Sequence, residues 1–542
     1  MLFRLRSVWI VFLAVTMVTT ESTNGNSTTA PEQIHVTLGD DYSQMQVLWA
    51  ARNNVTSWVA YGEAGGPLGE LQQGGQVVYL SKQNWRARRF IYRAVLQNLT
   101  EGVKYSYRVH NKDSGGEESV SALYNFTTLT ADQTHPKSFV VYGDLGILGG
   151  KETFPALQEE IQTHNHTAVW HVGDFAYDLF NDGGWIGDEF LRKIEPVAAN
   201  IPYMVSPGNH EIELGDFIQY RTRFSIPGAA WPIPAGKMWY SYDIGLVHFI
   251  SYSTEVFFTH HEAYACRQFY WLVDDLTKAN TNRHNVPWVV AMGHRPMYCS
   301  NDNGDDCTNL PFRGRVRAGL EKMFHAQGVD LIIEAHEHSY ERSWPVFDHD
   351  VIQTNYVNPK GSVHVITGAA GNKEGKDQMV PYLKAWSAYR HATPHENNFG
   401  RLHAMNQTHL FWEQVGVENT TVFDSFWLVQ HAHGPFVQGL NCSVSASNRH
   451  SSCTCPPPFY TWIIIYVLCL IVGLVVTAVV SKVLLKRRRR MRGSRCCKSR
   501  REAVSMCCDH DTVSDPRVIR KVYVKDFRDV DDLEALLPED GK

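Results

Sequence analysis

No charged residue interrupts Phe459 to Ser481, no Asn-x-Ser/Thr triplet follows that run, no repeat of fixed period is evident, and net positive charge is lacking. A formal charge of −5 excludes a nucleic-acid partner for the folded part, since phosphate backbones are gripped by a basic face. The uncharged run excludes an ordinary surface segment: it is long enough to cross a bilayer as one helix with its backbone hydrogen bonds satisfied internally.

What is present is otherwise globular, with 44% apolar and 20% charged residues. A chain of 542 residues exceeds what one core usually serves, so two or more domains are expected. Arg4 and Arg6 precede an apolar stretch from Val8 to Val18, the pattern of a secretory signal over residues 1–20, cut near Thr20. Lys486, Arg487, Arg488, Arg489 and Arg490 follow the uncharged run at once. Positive charge stays cytoplasmic, so a transmembrane helix at 459–481 puts everything before it outside or in a lumen, and leaves residues 482–542 as a cytoplasmic tail. The expected protein is therefore single-pass, type I, at the cell surface or in endosomes or lysosomes.

Two residue types split at the same boundary. Asn26, Asn54, Asn98, Asn125, Asn165, Asn406, Asn419 and Asn441 each open a glycosylation triplet, and all precede the helix, so N-glycans are expected. Cys266, Cys299, Cys307, Cys442, Cys453 and Cys455 lie on the oxidising side, with Cys299 and Cys307 the expected pair across a polar loop. Cys496 and Cys497 sit near the membrane, where they are either acylation sites or idle thiols.

Between the ends the pattern changes once. Residues 33–130 carry short alternating runs separated by turn clusters such as Gly39-Asp40-Asp41 and Gly65-Gly66, and predict a sandwich of roughly seven strands. From Pro136, expected strands at Ser138–Tyr142, Ala168–Val172, Tyr203–Val205, Trp288–Met292, Leu331–Glu334 and Val363–Thr367 alternate with helices at 154–163, 188–196 and 317–327. That alternation argues an α/β domain over 136–440. Residues 441–458, rich in Ser, Cys and Pro, read as a stalk.

The ends of five of these strands carry the chemistry. They are followed in turn by Gly143-Asp144-Leu145-Gly146, Gly173-Asp174-Phe175-Ala176-Tyr177, Gly208-Asn209-His210-Glu211, Gly293-His294 and Ala335-His336-Glu337-His338. Ligand sites in α/β sheets lie beyond the carboxyl ends of strands. Carboxylate, amide, phenol and imidazole together suit harder transition metals, and seven such groups are too many for one ion. Two ions about 4 Å apart suit in-line displacement at phosphorus.

These five blocks, in this order, resemble the signature of purple acid phosphatases. Residues 96–109 resemble later strands of a fibronectin type III domain, and Gly400 to Leu410 resembles the C-terminal segment of the plant-like branch. The resemblance implies a metallophosphoesterase-type β-sandwich flanked by helices, preceded by a fibronectin type III-like all-β domain and followed by one transmembrane helix. It implies an acid phosphatase that hydrolyses phosphate monoesters of small molecules or phosphoproteins by metal-activated hydroxide attack. Asp144, Asp174, Tyr177 and His338 would hold a ferric ion; Asp174, Asn209, His294 and His336 would hold Zn2+, Fe2+ or Mn2+. His210 would face substrate and protonate the leaving group.

The sequence departs from that family twice. Ala335 stands where a glycine is usual, and the histidine pair that plant enzymes carry after the fourth block is replaced by Tyr298-Cys299-Ser300-Asn301-Asp302-Asn303-Gly304-Asp305-Asp306-Cys307. That acidic loop would disfavour highly phosphorylated anions, and the group that replaces the pair is left open. Asp532-Leu533-Glu534-Ala535-Leu536-Leu537 resembles an acidic dileucine sorting signal. Two alternatives stand beside the monoesterase: a cell-surface binding protein on a phosphatase-like fold, and a phosphodiester or nucleotide hydrolase.

Overall fold

The structure, a computed structural model, describes residues 29–80, 88–132, 135–259, 262–302, 307, 314–391, 396–437 and 459–497. The expected signal segment, the stalk, the dileucine segment, Asp305 and Asp306, and the triplets at Asn26 and Asn441 lie outside the described residues. The chain separates into two compact units, residues 1–462 and 463–542.

The first strands of the larger unit form two antiparallel layers. Glu32–Leu38, Met45–Ala51, Arg88–Leu96 and Gly75–Leu80 make one sheet in that order. Thr56–Glu63 and Lys104–Lys112 centre the other. Between them lie Val36, Val47, Trp49, Val59, Tyr107 and Val109, all buried, as alternating patterns place them. The expected strand count was low, because short edge strands such as Glu118–Val120 have little apolar pattern to read.

The α/β region stacks two further sheets. One runs Tyr203–Ser206, Ala168–Val172, Lys137–Tyr142, Asn398–Asn406, His409–Gly416, Val422–Val429, with its first three strands parallel. The other runs Tyr240–Ile244, Val247–Ser251, Trp288–Met292, Leu331–Glu334, Val363–Thr367, Tyr340–Ser343, Ser387–Arg390, with a parallel centre. Parallel strands covered on both faces read as unbroken apolar runs, and Trp288–Met292 is WVVAM with every residue buried. The two sheets meet through aromatic rings: Phe249 lies 4.7 Å from Phe139 and 4.9 Å from Trp170 between centroids.

Helices Thr153–Thr163, Trp185–Ala198 and Arg315–Gln327 fall where the sequence pattern predicts them. The last stops at Gly328, whose left-handed backbone (φ 66°) lets its N–H return to the Phe324 and His325 carbonyls. A longer helix, Glu262–Thr281, and the hairpin Tyr240–Ser251 were not anticipated. Glu262–Thr281 has polar residues scattered among its apolar ones, which blurs the helical period. The disulfide Cys299–Cys307 is formed.

Helix Phe459–Cys497, most of which belongs to the second unit, contains the apolar stretch Val467–Lys486, long and apolar enough to cross a membrane, with a mean hydropathy of 2.6. It runs on through the basic cluster, past the expected end at Ser481.

Candidate metal centre

The five blocks leave the carboxyl ends of parallel strands drawn from both sheets, so sheet stacking is what converges them. Asp144 follows Lys137–Tyr142, Asp174 follows Ala168–Val172, and Asn209 follows Tyr203–Ser206. His294 follows Trp288–Met292, and His336 and His338 follow Leu331–Glu334. All seven, together with His210, lie in one linked cluster.

The links are direct. The Tyr177 hydroxyl donates to Asp144 Oδ1 at 3.0 Å and stands 3.0 Å from His338 Nε2. The His336 backbone N–H donates to Asp144 Oδ2 at 2.9 Å, and the His336 and His294 rings are 5.1 Å apart. His294 Nε2 lies 3.1 Å from both Asp174 Oδ2 and Asn209 Oδ1. The His210 backbone N–H donates to Asp174 Oδ1 at 2.9 Å.

The backbone is strained where the donors sit. Asp144, Asp174, Ala176, Tyr177 and His336 all have left-handed φ, between 55° and 70°. Each costs about 1 kcal/mol or more for a residue with a side chain, and such strain gathers at functional sites. Close approach explains two positions further. Gly173 (φ 83°) has no room for a side chain, since a Cβ there would lie 2.4 Å from His294 Nδ1. A Cβ on Gly143 would lie 2.4 Å from the Cβ of Ala335, so the absent methyl at 143 is what admits Ala335, the departure noted above.

The donor chemistry fits bound cations. His294 Nδ1–H donates to the Val172 carbonyl at 2.9 Å, which fixes the tautomer and aims Nε2 at Asp174 and Asn209. In a neutral His294 that leaves an imidazole lone pair facing two acceptor oxygens, an arrangement a cation relieves. A proton substitutes otherwise: burial opposes the charged form, but Asp174 and Asp144 outweigh it and raise the His294 pKa to about 10. His336 is held neutral, as a ligand must be, by burial and then by Arg295. Burial and the Asp144 charge push the Tyr177 phenol well above its usual value, a cost that a nearby cation reverses. Asp174, His294 and His336 form a group whose ligand atoms lie within 4.8 Å of one another.

Several neighbours were missed from sequence. Glu211 is fully buried and accepts N–H bonds from Asp174, Phe175 and Gly208 at 2.7–2.9 Å, tying the Asp174 loop to the Asn209 loop. Asp178 accepts a hydrogen bond from His210 Nδ1, and Glu374 Oε1 lies 3.6 Å from His210 Nε2. Lys373 Nζ donates to the Tyr177 carbonyl at 2.7 Å. Asp178 adjoins Tyr177 and was readable as part of that block. Glu374 and Lys373 lie on a distant loop with no motif to flag them.

Comparison with known proteins gives the class first. The calcineurin-like phosphoesterase domain matches residues 137–340, flanked by matches to the purple acid phosphatase N-terminal domain at 31–128 and the iron/zinc purple acid phosphatase-like C-terminal domain at 361–425. Acid phosphatase type 7 of Danio rerio is 40% identical over 428 residues, covering 75% of this chain and 93% of that protein. Its Homo sapiens counterpart is 40% identical over 425 residues, covering 76% and 93%. A purple acid phosphatase from yellow lupin seeds shares the fold, with a TM-score of 0.63 at 21% identity over 74% of this chain and 75% of that one. The chain belongs to the purple acid phosphatases, a family of metal-dependent phosphoesterases with a binuclear centre.

Proposed function

We propose that this protein hydrolyses phosphate monoesters in an acidic compartment, at a centre in which Asp144, Asp174, Tyr177 and His338 hold a ferric ion. Asp174, Asn209, His294 and His336 hold a divalent one, Zn2+, Fe2+ or Mn2+, with Asp174 shared. The observation that carries this reading is the meeting of seven donors from five strand ends around His294 and Tyr177, with the closest donor atoms 3.0–3.1 Å apart. When bound, the ions supply Lewis-acid activation of water and neutralise charge on the phosphoryl oxygens.

The chain's own residues do the rest. His210 stands at the mouth, its ring 4.5 Å from Tyr177. Burial works against its charge, but the hydrogen bond to Asp178 and the field of Asp174 raise its pKa to about 9. Its Nδ1–H is held on Asp178, which leaves Nε2 toward the site, where the protonated ring can donate to the departing alkoxide. Asp178 positions the ring, and Glu211 holds the two loops on which Asp174 and Asn209 ride. Topology follows from the apolar helix and the basic run after it: catalytic domain outside or lumenal, N-glycosylated, tail cytoplasmic.

The test is metal content and a visible spectrum of the purified protein, beside turnover of a simple monoester and a diester at acid pH. Two metals per chain, a phenolate charge-transfer band and monoester preference are expected. A colourless protein with fewer than two metals overturns the centre, and diester preference overturns the substrate class.

A further inference from the structure

The plant-type histidine pair is missing, yet one cationic side chain is built into the His294–His336 side of the centre. Arg295 follows His294 directly, and its Nη1 lies 2.9 Å from His336 Nε2. The side chain is held at its other end. Nε donates to Glu255 Oε1 and Oε2 at 2.9 and 3.2 Å, and Glu255 is fully buried. The Arg295 backbone N–H donates to Thr254 Oγ1 at 3.1 Å, whose hydroxyl donates in turn to Glu255 Oε1. The guanidinium lies over the Phe258 ring, 4.5 Å from its centroid, and Arg315 lies over the same ring at 5.1 Å. The Arg295 side chain is 23% exposed, so it reaches the mouth while its stem is fixed.

This placement is electrostatically odd for a purely structural residue. A guanidinium never deprotonates and only donates, so it sets a permanent positive charge against an imidazole of a cation site. Glu255 offsets part of that charge. An anion arriving over His294 and His336 meets the same positive charge, a guanidinium whose Nη1 already reaches His336. The planar fork of arginine suits a phosphoryl group, whose peripheral oxygens it can grip in pairs.

We propose that Arg295 is a substrate-binding residue of this chain: it grips the phosphoryl oxygens on the His294–His336 side of the centre, in the role left vacant by the absent histidine pair. Glu255, Thr254 and Phe258 position it. The proposal rests on the phosphatase reading above.

The test compares full-length wild type, Arg295→Gln and Arg295→Lys in detergent. The readouts are metal content, the inhibition constant for inorganic phosphate, KM and kcat on a simple aryl monoester, and the rise in melting temperature caused by phosphate, which reports binding without turnover. Arg295→Gln is expected to keep both metals, weaken phosphate about 10- to 100-fold, raise KM, and lose most of the phosphate-induced thermal shift. Arg295→Lys recovers part of the binding, because the charge remains and the fork does not. A phosphate constant within about twofold of wild type in Arg295→Gln overturns the proposal. So does loss of metal in that variant, which would make Arg295 a prop for His336. Should Arg295→Gln not fold, Arg295→Lys decides: unchanged phosphate binding overturns the proposal. A wild type without metals or turnover takes down the functional reading itself, whereas an active wild type confines any failure to Arg295.

Discussion

On one side of Asp174 stand a phenol, a carboxylate and one imidazole; on the other stand an amide and two imidazoles. Both halves hang from the same device, a turn at the end of a buried parallel strand. Their surroundings differ. The Tyr177 half is acidic and backed by the carboxylate of Asp144, which drives the phenol pKa up after burial has done so. The His294 half has the fixed charge of Arg295 beside it, which with burial keeps His336 neutral. Anionic donors thus gather where a trivalent ion is proposed, and neutral donors where a divalent one is. The difference teaches that one scaffold can make two unlike ligand fields a few ångströms apart by changing only the residue that follows each turn.

The strongest way to break this comparison is to remove what the halves share. Asp174→Asn is expected to lower metal content on both sides and cut kcat/KM by on the order of 10³-fold or more. Retention of two metals would show that Asp174 is not common to them. Next come the paired single-side variants. Tyr177→Phe should abolish the visible band while keeping the divalent ion, and His294→Ala should do the reverse, each with about 10²-fold loss of activity. The comparison fails if both variants lose the same metal, as judged by elemental analysis and absorption together.

How much of this was legible beforehand depends on where a residue's partner sits in the chain. The five blocks were readable because each places ligand-type residues within a few positions of a strand end, and burial makes those strands unbroken apolar runs. Ala168–Val172, Trp288–Met292, Leu331–Glu334 and Val363–Thr367 have the ends the sequence suggests. The residues that surround the ligands were not legible in the same way. Glu211 sits inside a quoted block, but nothing in the block says that it points back at the Asp174 loop. Arg295 was equally visible and equally mute, because its meaning comes from Glu255, 40 residues earlier. The added strands Asn398–Asn406, His409–Gly416 and Val422–Val429 extend the first sheet antiparallel. Gly400 to Leu410 was matched as a family segment but not read as strand, because Asn398–Asn406 is buried along most of its length and shows no alternation.

Smaller effects sharpen the contrast between site and scaffold. Glu211→Gln turns an amide N–H toward backbone N–H groups, leaving at least one donor buried and unpaired. Destabilisation of about 3 kcal/mol is expected, with weakened metal binding in both halves. A melting temperature within about 1 °C of wild type would refute the anchoring role. His248 is the control outside both halves, paired with Asp243 at 2.6 Å and Asp275 at 3.0 Å. Burial opposes its charge, but those two carboxylates raise its pKa to about 9. Its folded pKa exceeds its unfolded one, so its contribution is whole below about pH 6.5 and fades as pH rises through about 9. His248→Asn should remove on the order of 2 kcal/mol at pH 5 and almost nothing at pH 10, with metal content untouched. Equal losses at both pH values would show that the ring acts by packing instead.

The smallest effect concerns Ala335, where the chain departs from its family's usual glycine. Its N–H donates to the His294 carbonyl at 2.8 Å and its carbonyl accepts from Glu337 at 2.8 Å, so it joins the two halves through main chain alone. The methyl is fully buried and occupies the space that Gly143 leaves empty. Ala335→Gly keeps both hydrogen bonds and loses one buried methyl plus some unfolded-state restriction, together about 1 kcal/mol. A fall in melting temperature of about 2–4 °C follows, with metal content unchanged and kcat/KM within about twofold. If the variant instead lost one metal selectively, the methyl would be setting the geometry of that half. The departure at 335 would then be a functional adjustment rather than a packing exchange with residue 143.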